Sequence, residues 1–435
     1  MRMWLEPARE IPIKDEVDVL VIGGGPAGFS AAVCAARQGA RTLLVEQAGQ
    51  VGGIATTGLM SHWTGDTRGG FYQEMLERSK GIRLDVHAEY AHEHKIINPE
   101  QLKLVLLEML DEAGVDLLLY TFACGVIMRE NTVTGVVLES KSGREAVLAK
   151  VVIDASGDGD IAAKAGAAYS MGRASDGRMQ PMTVMFKVAG VDTDTVRYNG
   201  SFESSYPIPD GDLQTEGRRH IPHPAGHVLL YETDLPGVVT CNMTNAIGVD
   251  GTRAEDLTRA EKVCRSQIPH IVRFLRNKVP GFGQCHVISS ASLMGVRETR
   301  HFIGEKTLTE EDILAARLFE DWAVCNAHFN FDVHNLSGAG LDETGVQHNF
   351  RQSRFYSIPY GCFIPQTIDG LMLAGRNISG THMAHSSFRV MPICANMGQS
   401  VGIAAALCAA EGLQPRALPV GRLQSVLRGQ GVAPL

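Results

Sequence analysis

A glycine-rich turn between an apolar strand and a small-residue helix constrains this chain more than any other feature. Val17–Ile22 is a run of aliphatic residues typical of a buried parallel strand. Gly23–Gly28 then has the spacing G-x-G-x-x-G, and Ala27–Gln38 is predicted as a helix that ends at Gly39. Arg41–Val45 predicts the next apolar strand. The chain therefore opens on a β-α-β unit.

Each glycine of this turn has a physical role in holding a dinucleotide. Gly23 permits the turn, Gly25 lets the backbone approach a pyrophosphate, and Gly28 lets the helix and the strand pack closely. The N–H groups and the partial positive charge of the helix N-terminus favour phosphates. Glu46 follows the second strand and can accept hydrogen bonds from the adenosine ribose. These features predict a site for NAD or FAD.

Two further glycine-rich segments favour FAD over NAD. Val51–Gly58 is a glycine loop at a place where an NAD domain continues with an ordinary βα unit. Late in the chain, Ala374–Asn377 is followed by Gly398–Gly402, which we expect to open a helix of small residues. A second helix N-terminus suits the ribityl phosphate or the pyrimidine edge of a flavin.

The chain is expected to have an α/β fold in three segments. Residues 1–168 predict the first part of a Rossmann-like FAD-binding domain, a parallel sheet with helices. Residues 169–358 are more polar and predict an inserted α+β substrate or cap domain, with a helix at Thr309–Asn326. Residues 359–435 predict the C-terminal return to the FAD-binding domain, through a strand at Gly370–Ala374.

Charge and cysteine content disfavour several classes of protein. The 435-residue chain has a net charge of −8, which argues against a nucleic-acid partner or an anionic membrane. Its nine cysteines form no C-x-x-C pair, which disfavours disulfide frameworks and iron–sulfur or zinc-ribbon sites. The apolar stretches are too interrupted for a membrane span. We expect a cytoplasmic protein that acts on a small molecule; homo-oligomerisation and the electron donor or acceptor stay open.

Six stretches of the chain carry a resemblance to a known family: VIGGGPAG with Glu46, VGGIATTG, Val152–Ala167, Met294–Ile313, Tyr356–Pro365 and Leu371–Leu407. Together they resemble FAD-dependent oxidoreductases of the glutathione-reductase-like superfamily. The most similar branch contains the fumarate reductase and succinate dehydrogenase flavoproteins. The resemblance implies an enzyme that transfers hydride between a small organic substrate and flavin N5, without specifying the substrate.

The resemblance also implies which residues hold a non-covalent FAD. Glu46 would bind the ribose, the loop after Val51 would line the flavin ring, and Val126 would flank the adenine. Gly375 and Arg376 would contact the ribityl chain. The full expected set is Gly23, Gly25, Pro26, Ala27, Gly28, Glu46, Gln47, Gly52, Gly53, Ile54, Ala55, Thr56, Val126, Ala155, Ser156, Gly157, Asp158, Gly375, Arg376, Gly398, Gln399, Ser400 and Val401.

Arg389 and His385 are the main catalytic candidates, since Thr381–Arg389 precedes the late flavin-binding helix. An imidazole titrates near neutrality, which suits His385 as acid or base. The guanidinium of Arg389 can anchor a carboxylate or polarise a carbonyl. In the fumarate-reductase relatives, a histidine and an arginine before this helix face the substrate. Alternatively, both residues brace the cofactor or cap the helix.

Arg297 and His62 are further candidates. In a strand, Arg297 and Thr299 would share one face, and Glu298 and Arg300 the other. One face could reach the substrate, but a salt-bridged strand that fixes lobe against lobe is the favoured interpretation. His62 follows the flavin-ring loop and could line the site. Covalent flavin attachment is not expected there, because the local pattern of succinate dehydrogenases is not reproduced.

Three functions remain open after these observations. Substrate oxidation by a dehydrogenase or oxidase is favoured. Reduction of an activated C=C bond and a role as a flavin electron-transfer subunit are the alternatives. No metal is expected, because His220, His223 and His227 lie in a Pro-rich loop without a carboxylate or cysteine to complete a site.

Overall fold

A seven-stranded sheet with a parallel centre organises the fold. Strand β1 (Ile13–Ile22) pairs in parallel with β2 (Thr42–Val45) and with β6 (Gly143–Asp154). Val19–Val21 and all four residues of β2 are buried, as expected for strands covered on both faces. The predicted α/β class with a Rossmann-like core is confirmed. The computed structural model describes residues 3–79, 96–199, 202, 204–342 and 350–435.

The described elements alternate between strands and helices in the first third and the last part of the chain. The remaining strands are β3 Asp116–Leu118, β4 Phe122–Arg129, β5 Thr132–Ser140, β7 Tyr169–Met171, β8 Phe186–Ala189, β9 Pro207–Ile208, β10 Gly211–Asp212, β11 Leu230–Glu232, β12 Val239–Cys241, β13 His286–Ser290, β14 Arg300–Phe302, β15 Trp322–Ala327, β16 Tyr356–Pro359 and β17 Leu371–Leu373. The helices are α1 Pro26–Arg37, α2 Phe71–Ser79, α3 Pro99–Ala113, α4 Asp160–Lys164, α5 Leu213–His220, α6 Ala254–Lys278, α7 Glu310–Leu314, α8 His382–Phe388, α9 Met391–Glu411 and α10 Val420–Gly429.

Strand β6 brings the two ends of the chain together. Its first half pairs antiparallel with β5, and Val152–Asp154 pairs in parallel with β17. The predicted late strand therefore returns to the first sheet, beside the strand that precedes the turn at Ala155.

The helix predicted at Thr309–Asn326 is wrong. Helix α7 covers only Glu310–Leu314, and Thr309 and Asp312 cap its first turn reciprocally. The chain then forms β15, whose six residues are all buried and which pairs antiparallel with β16. Trp322, Ala323, Val324 and Cys325 fit a buried strand better than an amphipathic helix, and tertiary packing decides between them.

A second, smaller core lies in the middle of the chain. Strands β11, β12, β8 and β13 form an antiparallel sheet, against which residues of α6 such as Ile271 and Phe274 are buried. Buried residues of the following segment, such as Phe302, Trp322 and Ile358, belong instead to the core of the first sheet. The boundaries at residues 168 and 358 stay predictions.

Helix α9 crosses α1 at very short range. A side chain added at Gly398 or Gly402 would collide with the carbonyl oxygen of Ala27 or Ala31, so only glycine allows this approach. Helix α9 is also long and apolar enough to cross a membrane, but 89% of its most apolar window is buried within the protein. In this fold it is a core helix.

Candidate active site

The carboxyl ends of four parallel strands meet at one edge of the main sheet. β1 runs into Gly23, β2 into Glu46, β6 into Ala155 and β17 into Ala374. Open α/β sheets bind ligands in the crevice outside such strand ends. The four predicted cofactor segments are brought together for this reason.

A cavity of about 1380 Å³ lies between this edge and the middle lobe. Small-ligand pockets usually measure about 300–1,000 Å³, so the cavity has room for a dinucleotide and a substrate. Seventeen of the predicted site residues line it: Gly23, Gly25, Pro26, Ala27, Glu46, Gln47, Gly53, Ile54, His62, Ala155, Ser156, Gly157, Asp158, Arg297, Gly375, Arg376 and Arg389.

The glycine turn fits a dinucleotide phosphate. Gly25 precedes α1, no side chain caps that helix, and a Cβ added at Gly25 would meet no protein atom within 4 Å. The space is open on the cavity side, where the free N–H groups of the first helical turn can bind an anion. At Gly28, by contrast, an added Cβ would collide with the carbonyl oxygen of Gly23. The two glycines therefore serve ligand approach and strand–helix packing respectively.

Two polar groups near this turn line the cavity. Glu46 is buried, and its carboxylate accepts hydrogen bonds from the N–H groups of Gly24 (2.6 Å) and Ala48 (2.7 Å), which orient it at the cavity wall. Arg376 donates from Nη2 to Asp158 (3.1 Å). Its Nη1 is buried without a hydrogen-bond partner in the described part of the chain. An electron-rich ligand would satisfy that donor.

Several predicted cofactor residues support the wall without lining it. Gly52, Ala55 and Thr56 belong to the loop after Val51 but do not line the cavity. Within this loop, the Thr56 hydroxyl donates to the Val51 carbonyl (2.7 Å). Val126 is also outside the wall. Phe122 and Ala123, at the start of β4, line the cavity instead. Val126 lies further along the same strand, which leads away from the sheet edge.

The prediction that Gly398–Val401 opens a flavin-binding helix is wrong. Helix α9 begins at Met391, seven residues earlier, and Gly398, Gln399, Ser400 and Val401 are buried inside it. They pack against α1, Phe71 and Ala323 rather than the cavity. Val390, Met391 and Cys394 at the true N-terminal end line the cavity instead.

The far end of the cavity holds a compact charged group that includes two residues not predicted, Asp332 and His334. Arg389 Nη2 donates to Asp332 Oδ2 (2.9 Å), and His334 Nε2 lies 3.5 Å from the same oxygen. Burial alone would raise the pKa of Asp332, but His334, Arg389 and Arg297 together hold it well below its usual range. Burial and Arg297 lower the pKa of His334 to about 3, against the opposing effect of Asp332. At neutral pH the histidine is uncharged and the aspartate ionised.

Arg297 reaches the same end of the cavity from an extended segment. The expected strand over residues 297–300 is wrong, since β14 begins only at Arg300. Thr299 and Arg300, assigned to opposite faces, both bond to Asp158. Arg297 points to the cavity wall, where its Nη1 donates to the carbonyl of Pro181 (2.5 Å).

His385 does not reach the cavity, which contradicts its predicted role. It is buried on α8 with its ring edge-on to His301 at 4.7 Å, and burial and His301 lower its pKa well below the ordinary value. Glu298 accepts hydrogen bonds from His301 (2.7 Å) and His382 (2.6 Å). The group can offer a metal three ligand atoms, from Glu298, His301 and His385, within 4.8 Å of one another. The short Glu298–histidine distances are those of hydrogen bonds, so we interpret the group as a buried polar network beneath the site.

His62 lines the cavity with its ring stacked on Tyr231 (4.8 Å, 3°). Burial raises the pKa of Tyr231 to about 12, so its hydroxyl keeps its proton. The three other histidines mentioned above are not gathered around a common point: His220 pairs with Glu216, His223 with the carbonyl of Ser337, and His227 with that of Phe202.

The family model for FAD dependent oxidoreductases matches residues 18–427, nearly the whole chain. The chain belongs to this family. It is therefore a flavoenzyme whose cofactor is FAD, and the strand-end residues described above line a cavity large enough for it.

Individual relatives of this flavoenzyme match shorter stretches. A digeranylgeranylglycerophospholipid reductase from Methanococcoides burtonii is 28% identical over 198 residues, 42% of this chain and 47% of that protein. A fumarate reductase (cytochrome) from Shewanella frigidimarina is 45% identical over 53 residues, 12% of this chain and 9% of that protein. The chain thus spans about half the length of the first relative. A geranylgeranyl bacteriochlorophyll reductase-like structure from Thermoplasma acidophilum covers 96% of this chain and 84% of its own, with 17% identity and a TM-score of 0.46.

The flavin of this enzyme is expected to be released by acid. His62 is stacked on Tyr231, and we expect phosphate contacts from α1 together with hydrogen bonding by Glu46 to hold FAD without a covalent link. After acid precipitation, the yellow colour should appear in the supernatant and migrate as FAD. Colour that stayed with the protein pellet would contradict non-covalent binding.

Proposed function

We propose that this enzyme oxidises a small organic substrate at a C–H bond next to a hydroxyl or amine, as a dehydrogenase or oxidase. The observation that carries the proposal is the pair of His334 and Asp332 at the cavity end beside Arg389. An uncharged histidine held by an ionised carboxylate is a proton acceptor. Oxidation of an alcohol or amine requires such an acceptor as the hydride leaves.

Each residue of this group has a distinct part in the proposed reaction. Asp332 orients the His334 ring, so that the nitrogen not turned toward the carboxylate can take the substrate proton. Arg389 stabilises negative charge that develops on the substrate oxygen. FAD, when bound, supplies the acceptor for the hydride. The burial of this end of the cavity strengthens both electrostatic effects.

Reduction of an activated C=C bond is the second candidate. It is favoured by the names of two relatives, a digeranylgeranylglycerophospholipid reductase and a fumarate reductase. Membership of the fumarate-reductase branch stays a proposal, whose support is the 53-residue match to the fumarate reductase. This chemistry needs a proton donor, and Tyr231 in the cavity wall keeps its proton at neutral pH.

Anaerobic half-reactions separate the two candidates. We expect that a panel of 2-hydroxy and 2-amino acids, alcohols and amines contains a compound that bleaches the flavin absorbance of the oxidised holoenzyme. The photoreduced enzyme should not be reoxidised by fumarate or other activated alkenes. Rapid reoxidation by an alkene, with no bleaching by any of the donors, would favour the reductase instead.

We further propose that the enzyme works in the cytoplasm. All nine cysteines are free, and eight of them are buried. Free thiols persist in reducing compartments.

A further inference from the structure

Arg297 lines the cavity and forms no ion pair with a carboxylate among the described residues. Its one hydrogen bond is to the Pro181 carbonyl, and within the described ranges it lies within 4.0 Å of no Asp or Glu oxygen. The other cavity arginines differ in this respect. Arg376 is paired with Asp158, and Arg389 with Asp332. A half-buried guanidinium that lines a cavity and forms no direct ion pair with a described acidic side chain is costly to maintain unless a ligand completes it.

The charges at this end of the cavity do not balance. Arg297 and Arg389 carry two positive charges, Asp332 carries one negative charge, and His334 is uncharged at neutral pH. Burial and repulsion from Arg389 lower the pKa of Arg297 to about 10, so it remains charged there. The described acidic residues elsewhere in the wall are Glu46, Asp158, Asp160 and Glu232. Asp158 and Asp160 are paired with Arg376 and Arg300, Glu46 accepts from backbone N–H groups, and Glu232 forms no ion pair with Arg297. The group formed by Arg297, Arg389 and Asp332 therefore carries one net positive charge.

We infer that Arg297 binds a carboxylate of the substrate, which makes the substrate an organic acid. The inference rests on the proposed function, because it takes this end of the cavity as the place where the reacting carbon sits. A planar guanidinium can bind a carboxylate through two parallel hydrogen bonds, which fixes the substrate in orientation as well as in place. Arg389 and His334 would then face the carbon next to that carboxylate.

The roles inferred for Arg297 and Arg389 differ from the roles expected from the sequence. Arg389 was the expected carboxylate anchor, yet one of its terminal nitrogens already donates to both the side chain and the backbone carbonyl of Asp332. Arg297 was expected to brace the two lobes, yet it has no ion pair among the described residues. Arg297, which forms no ion pair, is therefore the better carboxylate anchor. Arg389, which is paired with Asp332, is better suited to orient Asp332 and to stabilise the reacting oxygen.

Benzoate and benzamide are matched probes for this site, because they differ in charge but hardly in shape. Binding to the holoenzyme can be followed by the perturbation of the flavin absorbance and by the shift in melting temperature. We expect benzoate to bind at least about 10-fold more tightly than benzamide, since a hydrogen bond to a charged group contributes about 1.5–3 kcal/mol. Arg297→Met should abolish this preference while FAD content is retained. Arg297→Lys should recover only part of it, because an ammonium lacks the planar fork.

Arg276→Met is the matched control. Arg276 also donates to a backbone carbonyl, that of Cys285, and lies outside the cavity. Its loss should leave the benzoate preference unchanged. Equal affinity of the unmodified enzyme for benzoate and benzamide would overturn the inference, even if the Arg297 variants failed to fold. So would an Arg297→Met protein that kept the preference.

Failure of the proposed oxidation is distinguishable from failure of this inference. Benzoate binding needs no turnover, so a benzoate preference that depends on Arg297 supports the anion site even when no donor bleaches the flavin. Conversely, flavin bleaching by neutral alcohols alone, without any benzoate preference, would retain the oxidation and remove the organic-acid substrate.

Discussion

Gly25→Val is expected to give a folded protein that purifies with much less FAD than the unmodified enzyme. No protein atom lies within 4 Å of a Cβ at this position, and its backbone has an ordinary negative φ, so the substitution strains nothing in the protein itself. The new side chain would instead occupy the space of the pyrophosphate. Overfilling a well-packed site costs about 1–3 kcal/mol, which corresponds to a loss of affinity of about 5- to 150-fold. The longer phosphate hydrogen bonds add to that loss.

Flavin absorbance per protein and the far-ultraviolet circular dichroism spectrum measure the two sides of this prediction. Gly421→Val is the control, because Gly421 is exposed at the start of α10 and also has open space around it. It should retain full FAD occupancy. Gly28→Val cannot serve, since its side chain would collide with the Gly23 carbonyl and disturb the fold. Full FAD occupancy of Gly25→Val would show that the phosphates bind elsewhere.

His334→Gln is expected to slow flavin reduction by a factor of about 10²–10⁴, the usual contribution of a general base. Glutamine retains a polar side chain near Asp332 but cannot take the substrate proton. FAD binding should not change, because His334 contacts Asp332, Phe202 and Gln180, none of which belongs to the glycine turn. Stopped-flow measurement of flavin bleaching by the substrate found in the donor panel gives the rate.

The pH dependence gives a second readout for this residue. A pKa near 3 keeps His334 unprotonated in the free enzyme, so kcat/KM should stay level from pH 8 down to pH 5 rather than fall near 6.5. His223→Gln is the control; His223 is exposed, outside the cavity and bonded to the Ser337 carbonyl. A His334→Gln enzyme with the unmodified rate would remove the residue from the proposed reaction.

Local spacing identified the segments that line the cavity at the edge of the main sheet. The turn at Gly23–Gly28, Glu46 and the strand before Ala155 are each specified by a short run of sequence. Their meeting point follows from the rule that parallel strands end at one edge. The same reasoning failed at Gly398, because small residues serve close helix packing as readily as phosphate approach, and only the position of Ala27 distinguishes the two.

The substrate half could not be read from spacing, because tertiary contacts assemble it. His385 stands beside Arg389 in the sequence, yet helix α8 turns it into the core against His301. Asp332 and His334 lie in a polar segment without helical or alternating periodicity. Their i, i+2 spacing was the available signal, since such residues share a face in extended chain. Nothing local connects them with Arg297 or Arg389, whose positions depend on how the lobes pack.

The parallel pairing of β17 with β6 has a consequence for biosynthesis. Strands β1, β2 and β6, which supply three of the four strand ends at the cavity, are translated early. The fourth strand, β17, and the Gly375 and Arg376 that follow it are translated only after the whole middle lobe. A nascent chain on the ribosome would thus carry the glycine turn long before it could enclose a flavin. Because domains fold as units during synthesis, we expect FAD capture to be a late event that follows translation of β17. Chains that stall or terminate before β17 should emerge colourless, which makes the flavin a marker of synthesis through this strand.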